Sequence, residues 1–461
     1  MNFGTSGARG LVEQFTDEVS AAFSFAFLSV MRERGEVAQV AIGMDRRPSS
    51  PAMASACSAA ARAMGIKVVD YGILPTPALA LQAMADGVPA IMVTGSHIPF
   101  DRNGIKFYQP DGEISKADEK AIMSVDATLP ELGAIQREPE SMAANQRYLA
   151  RYTEFFPRQP LSGKRVGLYQ HSAAGRDLNV QVLEALGAEV VALGRSEQFV
   201  PVDTEAVSDE DRALGRKWAV EHRLDALLTT DGDGDRPLLA DEHGEWLRGD
   251  IVGLLCAREL GIQGLAVPVS CNTAIEACGA FDTVQRTRIG SPYVLEAMAE
   301  LTQRYERVAG FEANGGFMLG TAIESNGRRL AALPTRDALL PALTLMVAAA
   351  QRNGPLSSLV NGLPGRFTAS DRLKDIPTET SLAYLARWEA TPARLQEDLG
   401  MPASIAVTDP TDGLRATLAN GDIVHLRPSG NAPELRCYVE STTAEGAERL
   451  LQNSMRALQK L

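Results

Sequence analysis

An acidic loop with the sequence TTDGDGDRP places three aspartates at alternate positions, separated by glycines. Carboxylates so close together repel one another, and a bound cation relieves that repulsion. We therefore predict a metal site at Asp231, Asp233 and Asp235, where Mg²⁺ would complete its shell with a phosphate oxygen and water. An EF-hand is excluded, because Arg236 stands where that loop needs glycine and a predicted strand precedes it. The alternative is a solvated acidic turn.

A second loop, TGSHIPFDRNGIKF, holds a serine at the end of a predicted strand. Ser96 follows Gly95, so its hydroxyl could lie at the rim of a sheet, where ligands of open α/β sheets bind. His97 is placed to take or relay a proton, and Lys106 to pair with a phosphate. The nucleophile elbow G-x-S-x-G is not matched. Ser96 is thus a candidate catalytic residue, and the alternative is a plain turn with a structural serine.

A third loop, GFEANGGF, combines a carboxylate and an amide two positions apart between glycines. Glu312 offers two acceptor oxygens and Asn314 both a donor and an acceptor, which suits adjacent hydroxyls of a sugar. Taken alone, the loop is equally compatible with a glycine-rich turn.

A fourth loop, LRPSGNAPELR, is rich in hydrogen-bond donors. Arg427 and Arg436 bracket Ser429, Gly430 and Asn431. Guanidinium forks together with backbone amides are suited to a phosphate monoester. The alternative is a hairpin with surface arginines.

The elements that must position these loops alternate between helix and strand. Residues 17–34 are predicted to form a helix with acidic residues in its first turn, arginines in its last and Gly35 as a stop. Strand and helix patterns then alternate, restarting near GKRVGLYQH and again near GLAVPVSCN, which is typical of βαβ units. Past Leu363 the pattern changes to a hairpin with an Asn420–Gly421 turn, a strand and a closing helix.

Composition restricts the class of protein. The chain of 461 residues exceeds the size of one hydrophobic core, so several domains are expected. The net charge of −13 argues against a nucleic-acid or membrane partner. Five cysteines without a CxxC pair indicate reduced thiols. Acidic residues follow the N-terminus, and no apolar run approaches the ~20 residues of a membrane span, so we expect a cytoplasmic protein.

The four loops, in this order and preceded by FGTSGARG at Phe3–Gly10, resemble the α-D-phosphohexomutase superfamily along the whole chain. The resemblance implies three consecutive α/β domains with mixed or parallel sheets and a smaller C-terminal α+β domain around a central cleft. The expected domains are residues 1–150, 151–253, 254–365 and 366–461.

The resemblance also implies an activity, namely exchange of phosphate between positions 1 and 6 of a hexose through a phosphoserine. Mg²⁺ is the implied cofactor, and a hexose 1,6-bisphosphate the implied activator and intermediate. The expected partner is a small hexose phosphate, and the expected state a monomer or small homo-oligomer. The loops most resemble bacterial phosphomannomutases. Phosphoglucomutase and phosphoglucosamine mutase are alternatives, and a metal-dependent sugar phosphatase or a non-catalytic sugar-phosphate sensor is less favoured.

Residue roles follow from the same resemblance, position by position. The phosphorylated serine matches Ser96, which completes the metal site with the three aspartates. The basic residues around the transferring phosphoryl group match Arg9, His97 and Lys106, whereas Arg236 follows the metal loop as the superfamily's arginine does and is expected to bind substrate. The pair that contacts the 3- and 4-hydroxyls of the sugar matches Glu312 and Asn314, and a further substrate loop, TRIGSPYV, contains Gly290 and Ser291. The loop that holds the other phosphate matches Arg427, Ser429, Gly430, Asn431 and Arg436.

The chain departs from the superfamily pattern at three places. Ile98 stands where the serine loop usually has asparagine. In the sugar loop, usually E-x-S-G-H, Asn314 replaces the serine and Gly316 the histidine. A lysine that some members carry in the third domain is missing from VPVSCN. The loss of the histidine leaves the general acid and base unassigned.

Overall fold

A computed structural model describes residues 2–3, 7–429 and 433–460. Its first sheet is mixed. The strand Gln39–Met44 pairs in parallel with Lys67–Ile73 and Ala90–Val93. The strand Arg102–Gln109 runs antiparallel to Ala90–Val93 and to Gly7–Leu11, so the serine loop joins two antiparallel neighbours. The remaining elements of this region are the strands Asn2–Phe3 and Gly112–Glu113, the 3₁₀ turn Val12–Gln14, and the helices Asp17–Arg34, Ser50–Ala63, Thr76–Asp86, Lys116–Met123 and Ala143–Phe155.

The second sheet has four strands, of which three are parallel. Pro237–Ala240 runs antiparallel to Ala226–Thr230, and the acidic loop connects the two. This connection places the aspartates at the carboxyl end of a buried parallel strand, as the sequence predicted. The other elements are the strands Arg165–Tyr169 and Glu189–Leu193 and the helices Arg176–Ala185 and Asp209–His222.

The third sheet repeats this arrangement. Val308–Phe311 runs parallel to Gly264–Pro268 and antiparallel to Phe317–Leu319, and the sugar loop connects the antiparallel pair. Phe317–Leu319 pairs in turn with Leu333–Asp337. The other elements are the strands Thr283–Thr287, Ile323–Ser325 and Arg328–Leu330, the 3₁₀ helix Leu356–Val360, and the helices Gly249–Glu259, Ala274–Ala277, Ser291–Leu301 and Leu339–Gln351.

The C-terminal sheet is antiparallel throughout. The predicted hairpin is confirmed, since Leu414–Leu418 pairs with Ile423–Pro428 and Gly421 lies in the turn with φ +85°. The other elements are the strands Phe367–Lys374, Ile405–Asp409 and Glu434–Ser441 and the helices Thr378–Ala390, Pro392–Leu399 and Ala444–Leu458.

The hydrophobic core divides unevenly. One cluster of buried side chains runs through all of the first three sheets, from Ala41 to Leu359. The C-terminal sheet has a separate cluster built around Trp388. The C-terminal region thus has a core separate from the others, whereas the first three sheets share the large cluster and each also has a smaller cluster of its own. Among the described helices, none combines the length and apolar character needed to cross a membrane.

Candidate active site

Ser96 and the acidic loop meet directly. The Ser96 hydroxyl is buried and donates a hydrogen bond of 2.6 Å to Oδ2 of Asp231. The backbone of Ser96 is left-handed, with φ +55°, a conformation that residues other than glycine adopt infrequently. The turn therefore aims the hydroxyl away from its own strand and toward the second sheet, and the predicted contact between serine and metal loop is present.

A buried ion pair holds the serine loop in this turn. Arg47 is 1% exposed, and its guanidinium donates to the carbonyls of Ser96 (2.8 Å), Ile98 (2.6 Å), Pro99 (2.8 Å) and Arg102 (3.0 Å). Since arginine keeps its charge, it stabilises four carbonyl oxygens that face away from solvent.

Asp45 supports the same turn from the other side. It accepts hydrogen bonds from the Thr94 hydroxyl (2.8 Å) and the Gly95 amide (3.3 Å), and it pairs with Arg47. A Cβ at Gly95 would lie 2.6 Å from the Arg47 guanidinium carbon, which explains the glycine. Sequence reasoning missed this pair, although MDRRPSS follows a buried strand and offered a signal.

The three aspartates are fully buried and form the predicted cluster. One carboxylate oxygen from each lies within 4.8 Å of the others. Among the described residues, Oδ1 of Asp233 and Oδ1 of Asp235 have no hydrogen-bond partner. Burial and then the two neighbouring carboxylates raise the pKa of Asp231 well above its usual value. Buried oxygens without partners and a carboxylate with a raised pKa fit a hard divalent cation.

Lys106 and Thr76 supply hydrogen bonds to this cluster. The Lys106 ammonium donates to Asp233 (2.6 Å) and Asp235 (2.9 Å), and the Thr76 hydroxyl donates to Asp233 (2.8 Å). Lys106 reaches them because its strand, Arg102–Gln109, lies beside the strand that leads into the serine loop. The structure thus brings Lys106 to the aspartate cluster, whereas no feature of the sequence indicated Thr76.

His97 and two arginines border the serine. Nη1 of Arg236 lies 2.8 Å from Nδ1 of His97, so the arginine donates and the imidazole accepts. Burial, followed by the Arg236 charge, lowers the pKa of His97 to about 3, so the ring is neutral at physiological pH. Burial and the same charge lower the pKa of Arg9 to about 10, which leaves Arg9 charged.

Both predicted residues of the sugar loop, Glu312 and Asn314, are buried. Glu312 accepts a hydrogen bond of 3.2 Å from Nη1 of Arg336. Asn314 uses its side-chain oxygen within the turn, where it accepts from the Gly316 amide at 3.0 Å. The Asn314 amide nitrogen is therefore the part of that side chain suited to a ligand.

The TRIGSPYV loop begins a helix and contacts the first sheet. Gly290 precedes the helix Ser291–Leu301 with φ +132°. The Ser291 hydroxyl is buried and donates to Oε2 of Glu113 at 2.7 Å. The Ile289 amide donates to Asp412 of the C-terminal region. These contacts show how the loop joins the N-terminal and C-terminal regions.

Two arginines stand opposite each other on the strands that flank the predicted phosphate loop. Arg427 and Arg436 are register partners on adjacent antiparallel strands, so their side chains share one face. Arg427 pairs with Asp412 at 2.9 Å, and the Ser429 amide donates to the Glu434 carbonyl. Like charges side by side favour a bound anion. Gly430 and Asn431 lie outside the described residues.

Four family models match the chain in order, all described as phosphoglucomutase/phosphomannomutase. They are alpha/beta/alpha domain I at residues 1–129, domain II at 146–244, domain III at 248–367 and the C-terminal domain at 382–457. The chain belongs to the phosphoglucomutase/phosphomannomutase family. The resemblance drawn from the loops, the phosphohexomutase class of enzyme and the predicted fold class are therefore confirmed.

Individual members of this family are similar over nearly the full chain. A phosphomannomutase of Salmonella muenchen is 53% identical over 98% of this chain and 94% of its own. A phosphoglucosamine mutase of Symbiobacterium thermophilum is 30% identical over 97% of this chain and 96% of its own. The crystal structure of a phosphoglucomutase/phosphomannomutase family protein from Burkholderia thailandensis has a TM-score of 0.76 and 21% identity, covering 99% of this chain and 96% of that one.

One residue in the family site was missed by sequence reasoning. Arg336 is 4% exposed, and its Nε donates to Oδ2 of Asp235 at 3.0 Å. It lies in LPTRDALL, where the adjacent charges Arg336 and Asp337 interrupt an apolar run. A buried charge needs a partner, so that interruption was the available signal. Its carboxylate partners could not be identified from the letters.

Proposed function

We propose that the protein interconverts mannose 6-phosphate and mannose 1-phosphate with Ser96 as the phosphoryl carrier. The observation that carries the proposal is the hydrogen bond between the Ser96 hydroxyl and Asp231 of the buried aspartate cluster. A carrier serine needs a cation that neutralises its phosphate, and the aspartate cluster that would hold this cation is in direct contact with Ser96. The 53% identical relative supports mannose phosphates as the substrate.

The transfer proceeds in two steps of opposite direction. The phosphoserine gives its phosphoryl group to the free hydroxyl of the hexose phosphate, so the bond to the Ser96 oxygen breaks and a bond to the sugar oxygen forms. The resulting hexose 1,6-bisphosphate turns over in the cleft. The Ser96 oxygen then takes the other phosphoryl group, and the isomer leaves. Positioning and charge neutralisation supply most of the catalysis in such transfers.

The three aspartates would hold Mg²⁺ together with an oxygen on Ser96. The cation supplies charge neutralisation for the phosphoryl group. Lys106, which donates hydrogen bonds to Asp233 and Asp235, would lie beside the transferring phosphoryl group and add positive charge there.

Arg9, His97 and Arg236 complete the surroundings of the phosphoryl group. Arg236 and Arg9 contribute charge, and the neutral His97 accepts a hydrogen bond from Arg236 at Nδ1, the nitrogen that lies 3.4 Å from the Ser96 hydroxyl oxygen. His97 is the candidate relay for the hydroxyl proton.

Sugar recognition and distal phosphate binding come from separate parts of the chain. Glu312 and Asn314 would bind the 3- and 4-hydroxyls, which exchange places when the ring turns over. Arg427, Ser429 and Arg436, with Gly430 and Asn431, would hold the phosphate that is not transferred, and Gly290 and Ser291 would border the substrate. The four loops belong to the proposed domains 1–150, 151–253, 254–365 and 366–461.

Two further proposals concern the localisation and the oligomeric state of the protein. The five free cysteines, four of them buried, suit a reducing compartment, and we place the protein in the cytoplasm. Its large exposed apolar side chains are dispersed along the described chain, which suits a monomer or a small homo-oligomer.

The test is a comparison of wild type and Ser96→Ala. Wild type should convert mannose 1-phosphate to mannose 6-phosphate after priming with hexose bisphosphate, and intact-mass analysis should show one added phosphoryl group. Ser96→Ala should lose both activity and added mass. Turnover at the wild-type rate in Ser96→Ala would refute the carrier role. Faster turnover of glucose or glucosamine phosphates would reassign the substrate, and release of inorganic phosphate without isomerisation would indicate a phosphatase.

A further inference from the structure

Gly316 and Arg336 share one small volume beside the metal loop. A Cβ built on Gly316 would lie 2.6 Å from Cδ and 2.7 Å from Cγ of Arg336. Carbon atoms do not approach so closely, so the arginine stem fills the space that any side chain at position 316 would need. The backbone at Gly316 is hydrogen-bonded on both sides, to Asn314 and Glu312, and is held against the stem.

The guanidinium of Arg336 joins carboxylates from three sheets. Nε donates to Asp235 of the metal loop at 3.0 Å, and Nη1 donates to Glu312 of the sugar loop at 3.2 Å. Nη2 lies 3.9 Å from Glu113, which belongs to the first sheet. All four side chains are at least nine-tenths buried. Arg336 is thus the link between the loop that holds the metal and the loop that contacts the sugar.

This link has a geometric consequence for Glu312. Its carboxylate is buried close to other carboxylates, and the arginine fork compensates that charge while fixing its direction. Lysine in the same place would keep the charge, but its donors share one nitrogen and lack the rigid spacing by which Nε and Nη1 of arginine hold two carboxylates apart. Without the fork, Glu312 would no longer be held at a fixed distance from Asp235.

We propose that Arg336 is a positioning residue that orients Glu312 relative to the metal loop, so that the bound sugar is presented to Ser96. Gly316 is needed for the same arrangement, because only a residue without a side chain leaves room for the Arg336 stem. The inference rests on the proposed hexose phosphate substrate. It assigns to this pair a role in substrate affinity that a purely structural ion pair would not have.

The experiment measures the dissociation constant of mannose 6-phosphate by calorimetry in a Ser96→Ala background, where no transfer interferes. Arg336→Lys and Glu312→Gln should each weaken binding at least about tenfold, as expected when one partner of a buried hydrogen-bonded charge pair is altered. The double variant should bind more tightly than the product of the two effects predicts, because the residues act as one unit. The matched control is Arg352→Lys in an exposed ion pair with Glu259, and it should bind like the parent.

Gly316→Ala tests the spatial half with Arg336 intact. Its added methyl group should displace the arginine and weaken binding to a similar extent, whereas in an Arg336→Ala background it should have no further effect. Parent-like binding by Arg336→Lys or by Gly316→Ala, or independent effects of Arg336→Lys and Glu312→Gln, would overturn the proposal. Since binding is measured without turnover, failure of wild type to isomerise mannose phosphates would count against the proposed function alone.

Discussion

The geometry of Ser96 depends on side chains far from it in sequence. Its left-handed backbone is infrequent for a residue with a side chain and persists where the surroundings hold it. Arg47 provides that support through hydrogen bonds to Ser96, Ile98, Pro99 and Arg102. The orientation of Ser96, the proposed phosphoryl carrier, therefore depends on a buried arginine that touches no group proposed to react.

We expect Arg47→Lys to slow phosphorylation of Ser96 at least about tenfold, because an ammonium cannot bond four carbonyls and the lost bonds are buried and charged. The measurement is the rate at which hexose bisphosphate adds phosphoryl mass to the protein. Arg46→Lys is the control, since the neighbouring arginine contacts Ala173 and Asp177 outside the serine loop. Equal rates for the two variants would contradict the role of Arg47.

The residues found from sequence and those missed differ in the range of their contacts. Ser96 and the aspartates stand in short loops whose own letters indicate chemistry. Arg47 and Arg336 act on partners that only the folded sheets bring near, and no local pattern specifies those partners. The signal available for Arg336 was a charged position between apolar stretches. Such a position indicates that the side chain has a buried partner but does not identify that partner.

At the scale of elements, a helix with clear capping signals was predicted from the sequence, whereas a helix in a mainly polar stretch was not. The helix Asp17–Arg34 lies where predicted, with the Thr16 side chain accepting from the Val19 amide. The helix Ala143–Phe155 lies in a polar stretch that was not predicted to be helical. It buries residues on one side only, and that side packs on the helices Thr76–Asp86 and Arg176–Ala185 and on the strand Arg328–Leu330.

The C-terminal region shows the same limit. The hairpin and the closing helix were predicted, since a turn signal and a strong apolar stripe mark them. The helices Thr378–Ala390 and Pro392–Leu399 and the strand Phe367–Lys374 were not. The helix Thr378–Ala390 has a weak apolar periodicity, and the helix Pro392–Leu399 is only 8 residues long, too short for a helical period to be recognised in sequence.

The helix Ala143–Phe155 is anchored to the third sheet by polar contacts. The Tyr148 and Tyr152 hydroxyls both donate to the buried carboxylate of Asp337. We expect Tyr148→Phe to destabilise the protein by about 1.5–3 kcal/mol, the usual worth of a hydrogen bond to a charged group. The measurement is the thermal unfolding midpoint, with Tyr293→Phe at a partly exposed site as control. An unchanged unfolding midpoint in Tyr148→Phe would show that the hydrogen bond between Tyr148 and Asp337 contributes nothing to stability.

At the scale of the whole molecule, the division of the core matches the two demands of the reaction. The aspartate cluster, Ser96 and Glu312 must keep fixed distances, and the sheets that hold them share one hydrophobic cluster. In the proposed reaction the distal phosphate is released and bound again as the intermediate turns, and Arg427 and Arg436, which would bind it, belong to the C-terminal region with its separate core. Independent cores allow rigid-body movement between regions.

The compact core also protects the thiols, which gives a test of the whole fold. Four of the five cysteines are buried, and burial raises the pKa of Cys57 and Cys437 to about 12. Because the thiolate is the reactive form, we expect one thiol, Cys278, to react quickly with a disulfide reagent in the native protein, and the other four only after unfolding. Cys278→Ser should remove the fast phase.

The same raised pKa values predict the direction of alkaline instability. A buried thiol with a raised pKa stabilises the fold below the pKa of an unfolded thiol, about 8.5, and this contribution is lost as pH rises through the folded value. The unfolding midpoint should therefore fall progressively above about pH 9, as the unfolded thiols ionise while Cys57 and Cys437 remain protonated. Replacing both with alanine should reduce this slope even though it lowers stability at neutral pH. Rapid labelling of Cys57 or Cys437 in the native protein would contradict both predictions, because it would place those thiols in contact with water.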